Sequence, residues 1–109
     1  MTISVLIVYR DDVGSPGPTE LPLATAGVFS RYWLPAAATL GCVWAPLFQG
    51  GVPVSHDDFP AVLDELRRLR DHFAAQTDRS FADVRERSAW LVRELEKIDP
   101  RTIAELDIG

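Results

Sequence analysis

The spacing of apolar residues changes period along the chain. "TISVLIVYR" is nearly continuously apolar and rich in β-branched side chains, which predicts a strand over 2–10 covered on both faces. "DDVGSPGPTELP" combines Asp, Gly and Pro and predicts an exposed, irregular connection over 11–22. Its prolines remove backbone donors that a glycine-rich phosphate loop would need. From Thr25 to Leu40 apolar positions recur at helical spacing as Phe29, Trp33, Ala37 and Leu40, with Gly41 placed to stop the helix. Pro35 cannot donate to the carbonyl of Arg31 and disfavours helical geometry at Leu34, so a kink or a fresh start near Trp33 is predicted.

"CVWAPLF", "GG" and "VPVS" predict a hairpin over 42–55 turning at Gly50-Gly51, with Pro46 and Pro53 marking an edge or a bulge. A helix announced by Ser55, three residues before Asp58, carries the stripe Phe59, Val62, Leu63, Leu66, Leu69 and Phe73. A second runs from about Ser80 to Ile98, striped by Phe81, Val84, Leu91, Leu95 and Ile98 and halted by Asp99-Pro100. The short polar connection between them predicts an antiparallel pair. "IAELDI" near the end alternates and predicts a short edge strand. The order of elements predicts an α+β fold, within the broad α/β class: a small sheet of about three strands, a kinked helix and two long C-terminal helices packed against it.

Length narrows this to a single domain over 1–109 with one core. No run approaches the roughly 20 apolar residues that cross a bilayer, and "MTISVLIVYRDD" has no basic leader. The expected setting is cytoplasmic, without membrane contact. One cysteine, Cys42, allows no intrachain disulfide and no thiolate metal cage. Net charge is −5, with 13 acids against 9 bases over 55–109 and 3 against 2 before that. Such a surface disfavours nucleic acid and draws a basic protein partner.

Candidate chemistry is sparse. His56 and His72 are separated by 16 residues, roughly 24 Å along a helix, so they cannot share a metal through it. His56, Asp57 and Asp58 could form a local acid–base site, but acids beside a helix start also serve capping and the helix dipole. Cys42, between Gly41 and Val43 at the predicted start of a strand, suits a buried structural role. Arg70 falls on the apolar stripe between Phe59 and Leu63; it snorkels, pairs with a carboxylate such as Asp99 or Glu105, or binds an anion. No catalytic, cofactor or metal residue is assigned.

Trp90 stands apart. It lies about 140° from the stripe of its own helix, among Asp83, Glu86, Glu94 and Lys97. Two uses fit: an anchor for a basic partner inside a mostly acidic rim, or a contact beneath the 11–22 loop or the C-terminal tail. Phe29 and Trp33 share an inward stripe and belong to the core, whereas Tyr32 sits at its edge, where a partner could touch it.

Across residues 20–75, "ELPLATAGVFSRYWLPAAATLGCVWAPLFQGG" followed by "DDFPAVLDELRRL" resembles the small acidic immunity proteins that bacteria encode beside polymorphic toxins, in size, acidity and order of elements. The resemblance implies a non-enzymatic protein that neutralises a cognate toxin or enzyme by stoichiometric occlusion, and it assigns no site residues. The candidate partner-binding residues, Trp90, Glu86, Glu94, Asp83 and Tyr32, come from the wheel argument alone. The alternatives are a regulatory or assembly domain that homodimerises through its helical pair and, third, an enzyme centred on residues 56–58.

Overall fold

The computed structural model describes residues 1–10 and 17–109; the first half of the Gly/Pro-rich connection predicted over 11–22 lies outside the described residues. Strands β1 (Thr2–Tyr9), β2 (Thr19–Thr25), β3 (Val52–Pro53) and β4 (Ile103–Ile108) form an antiparallel sheet in the order β2-β1-β4-β3. Helix α1 spans 26–40, α2 spans Phe59–Ala74 and α3 spans Ala82–Glu96. The fold is α+β, with one strand more than the sequence pattern suggested.

β1 supplies Ile3, Val5 and Ile7 to the core, as period-2 alternation requires. Its other face is not covered as predicted: Leu6 is 40% exposed, with Glu20 and Asp107 as its cross-strand neighbours. The first four residues of β2 fall inside the predicted loop. Leu21 and Leu23 point inward while Pro22 faces solvent, and Pro22 is tolerated because β2 is an edge strand. The terminal "IAELDI" does form a strand, but it lies between β1 and β3 rather than at the edge. A register shift against β1 near Val8 and Tyr9 lets Ile103 join Leu106 and Ile108 in the core.

The predicted kink in the first helix takes the form of a π turn over Phe29–Trp33, where Leu34 N–H donates to the Phe29 carbonyl. Pro35 then stands in the first turn of the α-helical stretch Leu34–Leu40, where its missing donor costs least. Gly41, at φ 69°, ends the helix: its N–H donates to Ala38 O at 3.3 Å and that of Cys42 to Ala37 O at 2.9 Å, the paired bonds of a Schellman motif. Phe29 and Trp33 are buried, their rings stacked at 6.2 Å and 15°, and Phe73 of α2 meets Trp33 edge-on at 5.2 Å.

The hairpin predicted over 42–55 is absent. Ala45–Gly50 is a 3₁₀ helix, and Val52–Pro53 pairs with β4. The physical reason is Glu65, only 5% exposed, whose carboxylate accepts from the N–H groups of Val43 (2.8 Å), Trp44 (3.0 Å) and Ala45 (3.0 Å). A buried carboxylate facing successive N–H donors holds them in a helical turn, not in a strand ladder.

Ser55 closes the turn that leads into α2 through a hydrogen-bond exchange with Asp58, its hydroxyl donating to the carboxylate at 3.0 Å and accepting the Asp58 N–H at 3.2 Å; Asp58 itself stands at the helix N-cap without a side-chain cap bond. All six predicted stripe residues of α2 are buried. The chain doubles back through 75–81, where Arg85 donates to the carbonyls of Gln76 and Asp78. Asp78 accepts from Ser80 N–H at 2.8 Å, and Asp99 from Arg101 N–H at 3.0 Å. The backbone bond to Ser80 lowers the Asp78 pKa, and the Arg101 side-chain bond does the same for Asp99. Carboxylates with depressed folded-state pKa values stabilise the fold above the unfolded value and lose that contribution as pH falls through the folded one. Both caps should therefore persist at neutral pH and be lost only below about pH 4, which NMR titration of their carboxyl carbons checks.

Candidate functional site

A groove of about 500 Å³ opens between β2 and α3. Its floor comes from buried Leu23, Trp33 and Val84, and its walls from Val28 and Trp90. The rim carries Asp83, Glu86, Arg87 and Arg93. Trp90 reaches this position because it lies off the buried stripe of Val84, Leu91 and Leu95, yet it is half-buried and packs against the core. Arg87 stacks over its indole, 4.9 Å from the ring centroid, and donates to Pro22 O on β2 at 3.4 Å. The guanidinium thus bridges helix and edge strand across one part of the groove.

The five predicted partner-binding residues separate. Trp90, Glu86 and Asp83 line the groove together. Tyr32 lines an adjoining cleft of about 510 Å³ that shares Thr25, Val28, Asp83 and Val84 with it; its ring meets Phe81 edge-on at 5.2 Å, with the Arg31 guanidinium 5.6 Å from its centroid. Glu94 stands outside both clefts, paired with Lys97 at 2.6 Å. The helical wheel missed Arg87 and Arg93, because an angle on one helix does not say which part of it an edge strand will frame. Asp83, Glu86 and Arg93 make no ion pair with any described residue.

One feature of the floor has no signal in the sequence: the Trp33 indole N–H, buried, lacks any acceptor among the described residues. Burying an unpartnered donor costs free energy that folding normally avoids.

The remaining candidates lie elsewhere. His56 is exposed, 3.4 Å from a still more open Asp57, and Asp58 is engaged with Ser55; none of the three lines either cleft. Arg70 pairs with Asp71 at 3.0 Å and approaches Glu96 at 3.9 Å, so its carboxylate partners are neither Asp99 nor Glu105. Cys42 is buried after the α1 cap, not in a strand, and its thiol pKa is raised, first by burial and then by the Glu65 charge. A raised pKa keeps it a thiol at neutral pH and a poor nucleophile. Glu65→Gln, by removing the charge, should shift thiolate formation at Cys42 to lower pH, as read by thiolate ultraviolet absorbance on the folded protein; an unchanged titration would mean burial acts alone.

Among the described residues no group of three or more His, Cys, Asp or Glu is placed to hold a metal ion, and no helix is long and apolar enough to cross a membrane. No family model, curated protein or solved structure matches the chain.

Proposed function

We propose that the protein is a non-enzymatic binding module of the immunity type, which occludes a surface of a partner toxin or enzyme in a one-to-one complex. The observation that carries this reading is Trp90: a half-buried indole in a groove whose rim holds Asp83, Glu86 and Arg93 without ion-pair partners among the described residues. A fixed aromatic ring beside free charges has the composition of an interface anchor, in which the ring is desolvated and the rim supplies charge recognition. Asp83 and Glu86 meet basic groups of the partner. Tyr32, across Val28 and Asp83 from the groove, extends the same face.

The test begins with a complex purified from the native source, identified by mass spectrometry and rebuilt from purified components. Trp90→Ala should weaken that complex about thirtyfold, the loss expected for an anchor worth 2 kcal/mol, and should relieve inhibition of the partner's activity. Because Trp90 also packs against the core, Glu86→Arg serves as a second variant that alters only an exposed rim charge. It should slow association and weaken its dependence on salt. Wild-type affinity in both variants, with their folds intact, overturns the reading.

A further inference from the structure

The charges along the groove are ordered. Asp83, Glu86, Trp90 and Arg93 follow one another at steps of three and four residues, which keeps them on one side of α3, and the ten residues from Asp83 to Arg93 cover about 15 Å of helix. Among the rim charges not already engaged, two carboxylates mark one end and a guanidinium the other, with the Trp90 indole between them; Arg87, between Glu86 and Trp90, is held over the indole and on the Pro22 carbonyl. The helix dipole accounts for an acid in the first turn, Asp83. It also accounts for a base in the last turn, Arg93, but not for Glu86; neither Glu86 nor Arg93 is ion-paired among the described residues.

The opposite wall is the edge strand β2. That edge is blunted for strand addition, because Pro22 has no N–H to offer and its carbonyl already takes Arg87. An occupant is therefore held mainly by its side chains. Trp33 also lines the floor, and its indole N–H is a buried donor without an acceptor among the described residues.

We propose that the groove receives an extended segment of the partner protein, about five residues long, with a basic side chain at the Asp83–Glu86 end, an apolar or aromatic one against Trp90 and Val28, and an acidic one at Arg93. An extended chain rises about 3.3 Å per residue and presents alternate side chains to one face, so the first and fifth residues of such a segment lie about 13 Å apart, close to the length of the charged rim, with the third between them. Solvent does not reach the Trp33 N–H in the open groove, so a backbone carbonyl of the segment supplies its acceptor only once binding uncovers the indole edge. The inference rests on the reading that this face engages the partner, and it narrows the partner's chemistry from a basic surface to a dipolar strand.

Three acetylated and amidated peptides test it against the purified protein: Arg-Ala-Phe-Ala-Glu, Arg-Ala-Phe-Ala-Arg and Glu-Ala-Phe-Ala-Glu. Binding is read from the indole N–H resonances of Trp90 and Trp33 in a nitrogen-15-labelled sample. The dipolar peptide should bind about fivefold tighter than either single-sign peptide, the gain expected of an exposed charge pair, and this advantage should shrink in high salt. Arg93→Glu should transfer the preference to the doubly basic peptide, while the Trp33 resonance still shifts on binding. Equal affinities, a wild-type preference for the doubly basic peptide, or no shift of the Trp90 resonance with any of them would overturn the dipolar segment. The wider reading would then stand or fall separately, on whether Trp90→Ala weakens the native complex.

Discussion

Glu65→Ala is expected to destabilise the fold by about 3–5 kcal/mol, because it takes the shared acceptor from three N–H donors at a largely buried site. The side chain is 5% exposed, and its two oxygens accept from the N–H groups of Val43, Trp44 and Ala45 at 2.8–3.0 Å. These donors stand at the start of the 3₁₀ helix Ala45–Gly50, where a helix has no acceptors of its own to offer them. Alanine would leave them together without a partner, each at a cost of about 1–3 kcal/mol if water cannot replace the carboxylate. The damage would spread, because this segment places buried Phe48 and leads into β3. Against a total stability of about 5–15 kcal/mol for a domain of this size, the variant would approach the limit of folding. Glu65→Gln keeps one acceptor oxygen but turns an amide NH2 towards the same donors, so its loss should be smaller yet clearly measurable. Urea unfolding checks both; a midpoint for Glu65→Ala within about 1 kcal/mol of wild type would mean that water takes over the carboxylate's role.

Local signals placed the elements whose stability is decided locally. The stripe from Phe59 to Phe73 is buried as its spacing predicts, Gly41 adopts the left-handed geometry that ends α1, and Pro35 disturbs the helix at the predicted place. The failures share a different cause. Gly50-Gly51 does suit a hairpin, but a carboxylate about twenty residues further along captures the preceding N–H groups and turns the segment helical. Glu65 itself left a trace, being three residues after Val62 and four before Leu69 on the buried stripe, where an acid needs a reason. β2 escaped notice because Pro22 reads as loop unless the strand is known to lie at an edge. The site was half legible for the same reason: the wheel singled out Trp90, Glu86 and Asp83, while the groove they line exists only because β2 runs opposite them and brings Arg87 and Arg93 into the rim.

Trp33→Ala should cost about 3–5 kcal/mol, the usual loss for deleting a large buried aromatic side chain. Its indole is 1% exposed, stacked on Phe29 and met edge-on by Phe73, so two helices of the core converge on one ring. Trp33→Phe separates packing from polarity. It retains a ring between Phe29 and Phe73 and removes the N–H that has no acceptor among the described residues, a group whose unpartnered burial costs about 1–3 kcal/mol. The lost volume and the relieved donor oppose each other, so Trp33→Phe should remain within about 2 kcal/mol of wild type in urea unfolding. If the N–H is retained only as a packing compromise, Trp33→Phe will bind the Arg-Ala-Phe-Ala-Glu peptide as wild type does. If it is held in the floor of the groove for an incoming carbonyl, the same variant will fold normally and bind that peptide several-fold more weakly, the loss of one hydrogen bond of about 1 kcal/mol. A stable Trp33→Phe protein with undiminished peptide binding would return Trp33 wholly to the core and leave recognition to Trp90 and the rim charges.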